Sequence, residues 1–216
     1  MLRRALMAAA ASERIRELVT VTPATRTVVD RYVAGESSED AVTVARTLRS
    51  AGLLVTLDYL GEETSDAQRA AATAAQYVHL LGKLAAEGLT EDGAVEVSVK
   101  PTALGLLLGS EDAGAPGVPS VLGERVATEH LERIAIAARE AGTTVTVDAE
   151  DHRTTDASLR MATALRSSWS SKGSGSVGSV VQAALRRTET DVRELAAPGV
   201  RVRLCKGAYA EPAQEA

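Results

Sequence analysis

Apolar residues recur at helical spacing up to about residue 50, and beyond it helical and strand-like patterns alternate. Thr22-Pro23 predicts the start of a helix running through Val28, Val29 and Tyr32 to a stop at Gly35. Ser38 predicts the cap of a second helix, with Ala41, Val44, Ala45 and Leu48 on one face. From residue 51 the run Leu53 to Asp58 reads as a strand, and Ala70, Ala74, Tyr77, Leu81 and Leu84 as one face of a helix stopped at Gly88. Val95 to Lys100 alternates and is β-branched; Ala127, Leu131, Ile134 and Ala138 mark a helix ended by Gly142; Thr143 to Asp148 is a third strand. A helix near residues 155–166, a strand from Val177 to Ala183, a short helix through Val192 and Leu195, and a strand from Val200 to Cys205 complete the order. Thr188 and Asp191 have capping-box spacing for that short helix.

Strands alternating with crossover helices predict a parallel α/β sheet. No strand leads into a glycine-rich dinucleotide or P-loop fingerprint, which favours a barrel over a doubly wound sheet. Five strands are counted where a closed barrel needs eight, so the expected fold is α/β and either a partial (β/α)8 TIM-type barrel, its first five strands preceded by a helical arm, or a sheet other than a closed barrel. Residues 1–50 form the expected N-terminal arm and residues 51–216 an incomplete barrel domain. Ser167 to Ser179 is a polar, serine-rich run that reads as a solvent loop holding the lone Trp169.

Composition narrows the function. The 216 residues carry a net charge of −5, which supplies no basic field for nucleic acid. With one Trp, four Tyr and no Phe there is little material for base stacking. One cysteine excludes an intramolecular disulfide and a multi-thiolate zinc site. No apolar run reaches the ~20 residues of a membrane span. The Met1–Ala11 stretch imitates a signal peptide, but the charged Glu13, Arg14 and Arg16 follow at once; an Ala-rich helix and a cytoplasmic location are the expectation.

Parallel α/β folds gather their chemistry at the carboxyl ends of strands. Those ends read Asp58, Lys100, Asp148, Gln182 and Arg203, followed by Lys206. Only four of the twenty-four basic residues are lysine, and Lys100 and Lys206 are two of them, so a compact ammonium is wanted there. A shared site follows. One rival is a Schiff-base lyase working through Lys100 or Lys206. Asp148, Glu150, Asp151 and His152 superficially suggest a metal cluster, but alternate residues diverge and no second histidine is spaced for it, so no metal is expected. His79 and His130 read as helix-surface residues, and Cys205 as a small core thiol. Gly207 and Ala208 let the backbone approach a flat ligand.

Five segments carry a family resemblance: LDYLGEE (57–63), SVKPTALG (98–105), VDAEDH (147–152), VVQAALRRTE (180–189) and RVRLCKGAYAEP (201–212). Together, and in this order, they resemble the proline dehydrogenase family in its actinobacterial, single-function form. The resemblance implies a distorted (β/α)8 barrel that binds FAD and oxidises L-proline to 1-pyrroline-5-carboxylate. It implies catalytic roles for Asp148 and Arg203, Arg203 lying near flavin N5. Lys100 is implied in contact with the proline carboxylate and Tyr209 beside the substrate ring. Ala149, Gln182, Lys206, Gly207 and Ala208, with Arg203, fall on flavin-contact positions. The partners implied are L-proline and an electron acceptor the residues do not specify; no nucleic acid is expected, peripheral membrane association is compatible, and oligomeric state is left open.

The sequence also departs from the family pattern. Pro101 follows the lysine where an aliphatic residue is expected, and Ala183 or Ala184 replaces a tyrosine after Gln182. The family's later strands bring a Thr-His pair and an adjacent arginine pair; Arg186-Arg187 follows the fourth strand and does not match that motif. The expectation is therefore a C-terminally truncated barrel with little or no proline oxidase activity of its own, or a non-catalytic remnant or interaction fragment.

Overall fold

A computed structural model describes residues 33–61, 63–113, 117–169, 177–196 and 199–216. The N-terminal leader-like stretch, the helix predicted from Pro23, Glu62 and the polar run 170–176 lie outside them. The chain divides into two compact units, one through Val44 and one from Ala45 to Ala216. The described elements are helix α1 (Ser38–Ser50), strand β1 (Val55–Asp58), helix α2 (Ala67–Ala86), β2 (Val95–Val99), α3 (Val121–Glu140), β3 (Val145–Val147), α4 (His152–Trp169), β4 (Val177–Gln182), α5 (Thr188–Ala196) and β5 (Val202–Cys205).

All five strands are parallel and lie in chain order, β1-β2-β3-β4-β5. Each is joined to the next by a helix, so the second unit is a partial (β/α) barrel, a parallel half-barrel of five strands. The sheet's outer face is apolar. Val95, Val97, Val99, Val145, Val147, Val177 and Val181 are buried on it. The helices meet it with stripes at helical spacing. Ala70, Ala74, Tyr77, Leu81 and Leu84 line α2, and Ala127, Leu131, Ile134 and Ala138 line α3. Ala157, Met161, Ala162 and Leu165 are buried on α4. Alanine holds six of these thirteen positions, which lets helix and sheet approach closely there.

The boundaries have local causes. Asp66 caps α2 by accepting from the Gln68 and Arg69 amides at 2.7 and 3.2 Å. Ser120 caps α3 through the Gly123 amide at 2.9 Å. Gly142, at φ +75°, reverses the chain after α3 and lets the Thr143 amide return to the Ala138 carbonyl at 2.8 Å.

Several expectations are corrected. The cap of α1 is Ser37, not Ser38: its hydroxyl accepts from the Asp40 amide and the Asp40 carboxylate accepts from the Ser37 amide, both at 3.1 Å. Thr188 and Asp191 do not form a capping box. The Thr188 hydroxyl donates to the Gln182 carbonyl, and the Asp191 carboxylate is taken by Arg187 at 2.8 Å. The serine-rich run is not a loop throughout, because α4 extends through Trp169 and β4 begins at Val177. Leu53 and Leu54 stand outside β1 and are exposed, since the ladder with β2 begins at Val55.

Leu131 of helix α3 is fully buried. Leu131→Ala is expected to destabilise the protein by about 2–5 kcal/mol, through lost burial and an unfilled cavity. Leu204→Ala, on the exposed side of β5, is expected to stay within about 0.5 kcal/mol. Urea unfolding of both variants checks the contrast.

Candidate active site

The inner face of the sheet is largely polar, because most alternate residues of the strands are, Gly178 and Val180 of β4 excepted. Thr56, Glu96 and Thr144 share one register level, as do Lys100, Asp148 and Arg203 around the carboxyl ends. A barrel interior is usually filled by branched apolar side chains. Here a carboxylate sits among them, and Glu96 is only 8% exposed. Arg201 reaches it at 2.6 Å and Arg203 at 3.1 Å. The hydroxyls of Thr56 and Thr144 donate to it at 3.0 and 2.7 Å. Gly178 makes room for this traffic, since a Cβ there would lie 3.1 Å from the Arg201 guanidinium. Burial alone would raise the Glu96 pKa. The Thr144 hydroxyl and the Arg201 guanidinium outweigh it and hold the carboxyl below its ordinary value.

Above this floor lies the rim. The Lys100 ammonium pairs with Asp58. The buried Tyr77, from α2, donates to Asp58 at 3.0 Å and also lies 2.9 Å from the Ser98 carbonyl, while its oxygen accepts from the Tyr59 amide at 3.0 Å. Burial and the Asp58 charge push the Tyr77 hydroxyl pKa up, so it stays a donor. Arg203 binds Asp148 at 3.3 Å. Asp148 is raised above its ordinary value, first by burial and then by the neighbouring Asp58 charge. Two carboxylates and two cations thus stand together where the sequence predicted a shared rim.

A second set of bonds ties the loops that follow the strands. The buried Glu150 carboxylate accepts from the Thr102 amide at 3.0 Å and from the Thr102 hydroxyl. The Glu150 carbonyl accepts from the Gln182 side chain at 2.6 Å. Thr102 in turn accepts from the Glu63 and Thr64 amides, so the loops after β1, β2 and β3 and the end of β4 are cross-linked. The ladder between β4 and β5 continues past the strands, with the Ala184 amide on the Lys206 carbonyl at 2.9 Å. Gly207 follows at φ +101°, where a Cβ would lie 2.9 Å from the Ala184 Cβ and 3.2 Å from the Gln182 side-chain oxygen. Only glycine lets the chain turn this close to Gln182.

Of the residues singled out from sequence, Lys100, Asp148 and Arg203 meet through their charges, and Gln182 and Gly207 meet beside them. Ala149 lies between Asp148 and the Glu150 brace, and is half-buried. Lys206 and Ala208 are exposed after β5, and Tyr209 is half-buried. Tyr77, Glu96, Glu150 and Thr102 were missed. For Glu96 a signal existed: it shares a strand face with Ser98 and Lys100, and a charged residue inside an alternating β-branched run needs a partner.

Cys205 is corrected from core to exposed, because β5 is the last strand of the described sheet and its side is uncovered. Partial burial and the Asp148 charge push its thiol pKa up, away from nucleophile character. The carboxylates from 148 to 151 diverge to separate partners: Asp148 to Arg203, Glu150 to Thr102 and Asp151 to Arg153. His152 binds Glu211 at 2.5 Å. His79 is exposed, and His130 contacts the Leu104 carbonyl at 2.9 Å. The Asp58 ion pair stands against Lys100 as a Schiff-base amine, which must be neutral to attack.

A parallel β/α half-barrel with charges paired at its carboxyl ends defines a barrel-enzyme architecture. Comparison with known proteins supplies the family. The model of the family described as proline dehydrogenase matches residues 41–215, and the chain belongs to that family. It is 30% identical to proline dehydrogenase 1 of Bacillus subtilis (strain 168) over 189 residues, which is 88% of this chain and 55% of that protein. It is also 30% identical to a proline dehydrogenase of Deinococcus radiodurans, over 86% of this chain and 54% of that one. The chain spans about half the length of these relatives. Among solved structures, it resembles proline utilization A from Bdellovibrio bacteriovorus, inactivated by N-propargylglycine. That match has a TM-score of 0.70 and 26% identity, covering 86% of this chain and 20% of that one. Among the described residues, no helix is long and apolar enough to cross a membrane.

The raised Asp148 pKa carries a stability consequence. The folded state holds this proton more tightly than the unfolded one, so the contribution is present below the ordinary aspartate value and is lost as pH rises through the folded value. Asp148→Asn is expected to unfold at higher urea than the parent at neutral pH, the gain vanishing as pH falls through the carboxylate range. Lower stability of the variant at neutral pH would mean that the Arg203 pair outweighs burial and the Asp58 charge.

Proposed function

We propose that this chain carries the flavin- and substrate-facing residues for FAD-dependent oxidation of L-proline to 1-pyrroline-5-carboxylate, and that it acts in the cytoplasm. The observation that carries the reading is the joint placement of Lys100, Asp148 and Arg203 at one level of the parallel strands β2, β3 and β5, near their carboxyl ends, in a chain of the proline dehydrogenase family. The residues present suit a flavin. Arg203 is a half-exposed fixed cation, Gln182 is an amide held by a buried brace, and Gly207 and Ala208 are small where a flat ring would approach. When bound, FAD would supply the acceptor for hydride from the carbon beside the proline nitrogen.

The protein's own contribution is electrostatic and geometric. Arg203 presents positive charge where a reduced flavin gathers negative charge, and Asp148 orients it. Lys100, steadied by Asp58 and Tyr77, offers an ammonium to the proline carboxylate. Tyr209 supplies one wall for the substrate ring. Ala149, Gln182, Lys206, Gly207 and Ala208 would hold the flavin.

Titration of the purified chain with FAD tests this reading. The expected result is a bound flavin with a perturbed visible spectrum. Lys100→Met is expected to weaken proline binding by the loss of one charge-assisted contact, about 1.5–3 kcal/mol or roughly 10–100-fold, with FAD binding retained. Colourless protein in excess FAD would overturn the reading.

A further inference from the structure

Glu96 is held from three strands at once. Thr56 donates from β1 at 3.0 Å, Thr144 from β3 at 2.7 Å, and Thr146, also from β3, lies 3.3 Å from each carboxylate oxygen. Arg201 binds it at 2.6 Å from just before β5, and Arg203 within β5 at 3.1 Å. A carboxylate anchored this way does not move; a guanidinium on three methylenes does. Arg203 is the loosely shared partner. It lies 3.1 Å from Glu96 below and 3.3 Å from Asp148 above, and its side chain is 39% exposed. Arg201, 43% exposed, pairs among the described carboxylates with Glu96 only, and also donates to the Thr144 and Thr146 hydroxyls at 3.0 Å. Apolar residues would fill this layer at no electrostatic cost, since a buried ion pair at best breaks even with them. The arrangement is explained if the position of Arg203 matters.

We propose that Glu96 is the positioning residue for Arg203: from the floor of the barrel it competes with Asp148 for the guanidinium and so sets how far that cation stands toward the rim. Its bearing on flavin rests on the reading of Arg203 as the flavin-facing cation; the positioning itself does not. The charged groups facing this centre are Arg201 and Arg203 from the fifth strand's segment and Asp148 from the end of β3, with Asp58 and Lys100 beside Asp148. Glu96 is held below its ordinary value by its hydroxyl and guanidinium partners, while burial and the Asp58 charge raise Asp148 above its own.

Glu96→Gln in the full chain separates the outcomes. In nitrogen-15 spectra of arginine side chains, the Arg203 signal, assigned by its loss in Arg203→Lys, is expected to move less in the parent than in Glu96→Gln as Asp148 titrates, because Glu96 retains the guanidinium. In Glu96→Gln it is expected to follow that titration, because Asp148 is then its only carboxylate. An Arg203 signal with the same pH profile in both proteins overturns the proposal. If Glu96→Gln alone does not fold, Glu96→Gln with Arg201→Gln removes one charge of each sign and serves the same comparison. On FAD-loaded protein, sulfite affinity reports positive charge near the flavin. It is expected to change at least threefold in Glu96→Gln and to stay within twofold in Arg201→Gln; an unchanged value in Glu96→Gln counts against the proposal. A chain that takes up no FAD defeats the flavin reading at its own titration, and the arginine spectrum still decides the positioning.

Discussion

A carboxylate buried in the middle of a sheet has to be neutralised on the spot, and the arrangement around Glu96 is the consequence. Two guanidiniums and three threonine hydroxyls converge on it from both neighbours of β2 and from β5 across the inner face. Withdrawing both arginines would leave Glu96 an unpaired buried charge, which costs several kcal/mol. The pairing therefore fixes the relative placement of β1, β2, β3 and β5 more specifically than apolar packing could. It also explains why the inner face carries two arginines in alternate positions, Arg201 and Arg203, where a lysine could not serve two acceptors in one plane.

The outer face obeys a different rule. There the strands present valines, and the helices answer with alanines and leucines at helical spacing, so stability comes from burial and close approach. Period two along each strand keeps the faces apart: Val95, Val97 and Val99 go outward, while Glu96, Ser98 and Lys100 go inward. A one-residue slip would exchange them, burying charge against the helices and exposing valine to the site. The hydrophobic core and the site thus specify the same register, and neither can change without the other.

The sequence made much of this legible. The five strands, their order and the helices between them follow from alternation and 3.6-residue spacing, and the rim residues follow from asking what closes each apolar run. Caps were read less well. Ser37 and Ser38 are adjacent and chemically equal, and only the Asp40 side chain, by reaching back to residue 37, chooses between them. Asp191 had the spacing of a capping partner, but Arg187 one turn earlier offered it full charge. Cys205 continues an alternating strand, and nothing in its neighbours indicates that the strand's other side is uncovered. Glu96 and Glu150 escaped because their partners are remote in sequence: Glu96 meets residues 201 and 203, and Glu150 meets residue 102. Carboxylates of this kind are visible in a sequence only as an incongruity inside an apolar run.

The rim and the floor differ in what they contribute. Glu96 sits below its ordinary pKa, so its environment favours the charge it bears, and the floor adds to the stability of the fold. Asp148 sits above its ordinary pKa, in a place where burial and the Asp58 charge both oppose ionisation. A fold selected for stability alone would put a neutral residue there. Retaining a strained carboxylate next to a half-exposed arginine makes sense where the pair has work beyond holding the sheet together, and sites of this kind are where such shifts concentrate. The same contrast separates the two arginines: among the described carboxylates Arg201 pairs with Glu96 only, whereas Arg203 is divided between Glu96 on the floor and Asp148 at the rim. A cation divided in this way can be drawn toward new negative charge at the rim without unpairing the floor, because Arg201 stays behind to neutralise it.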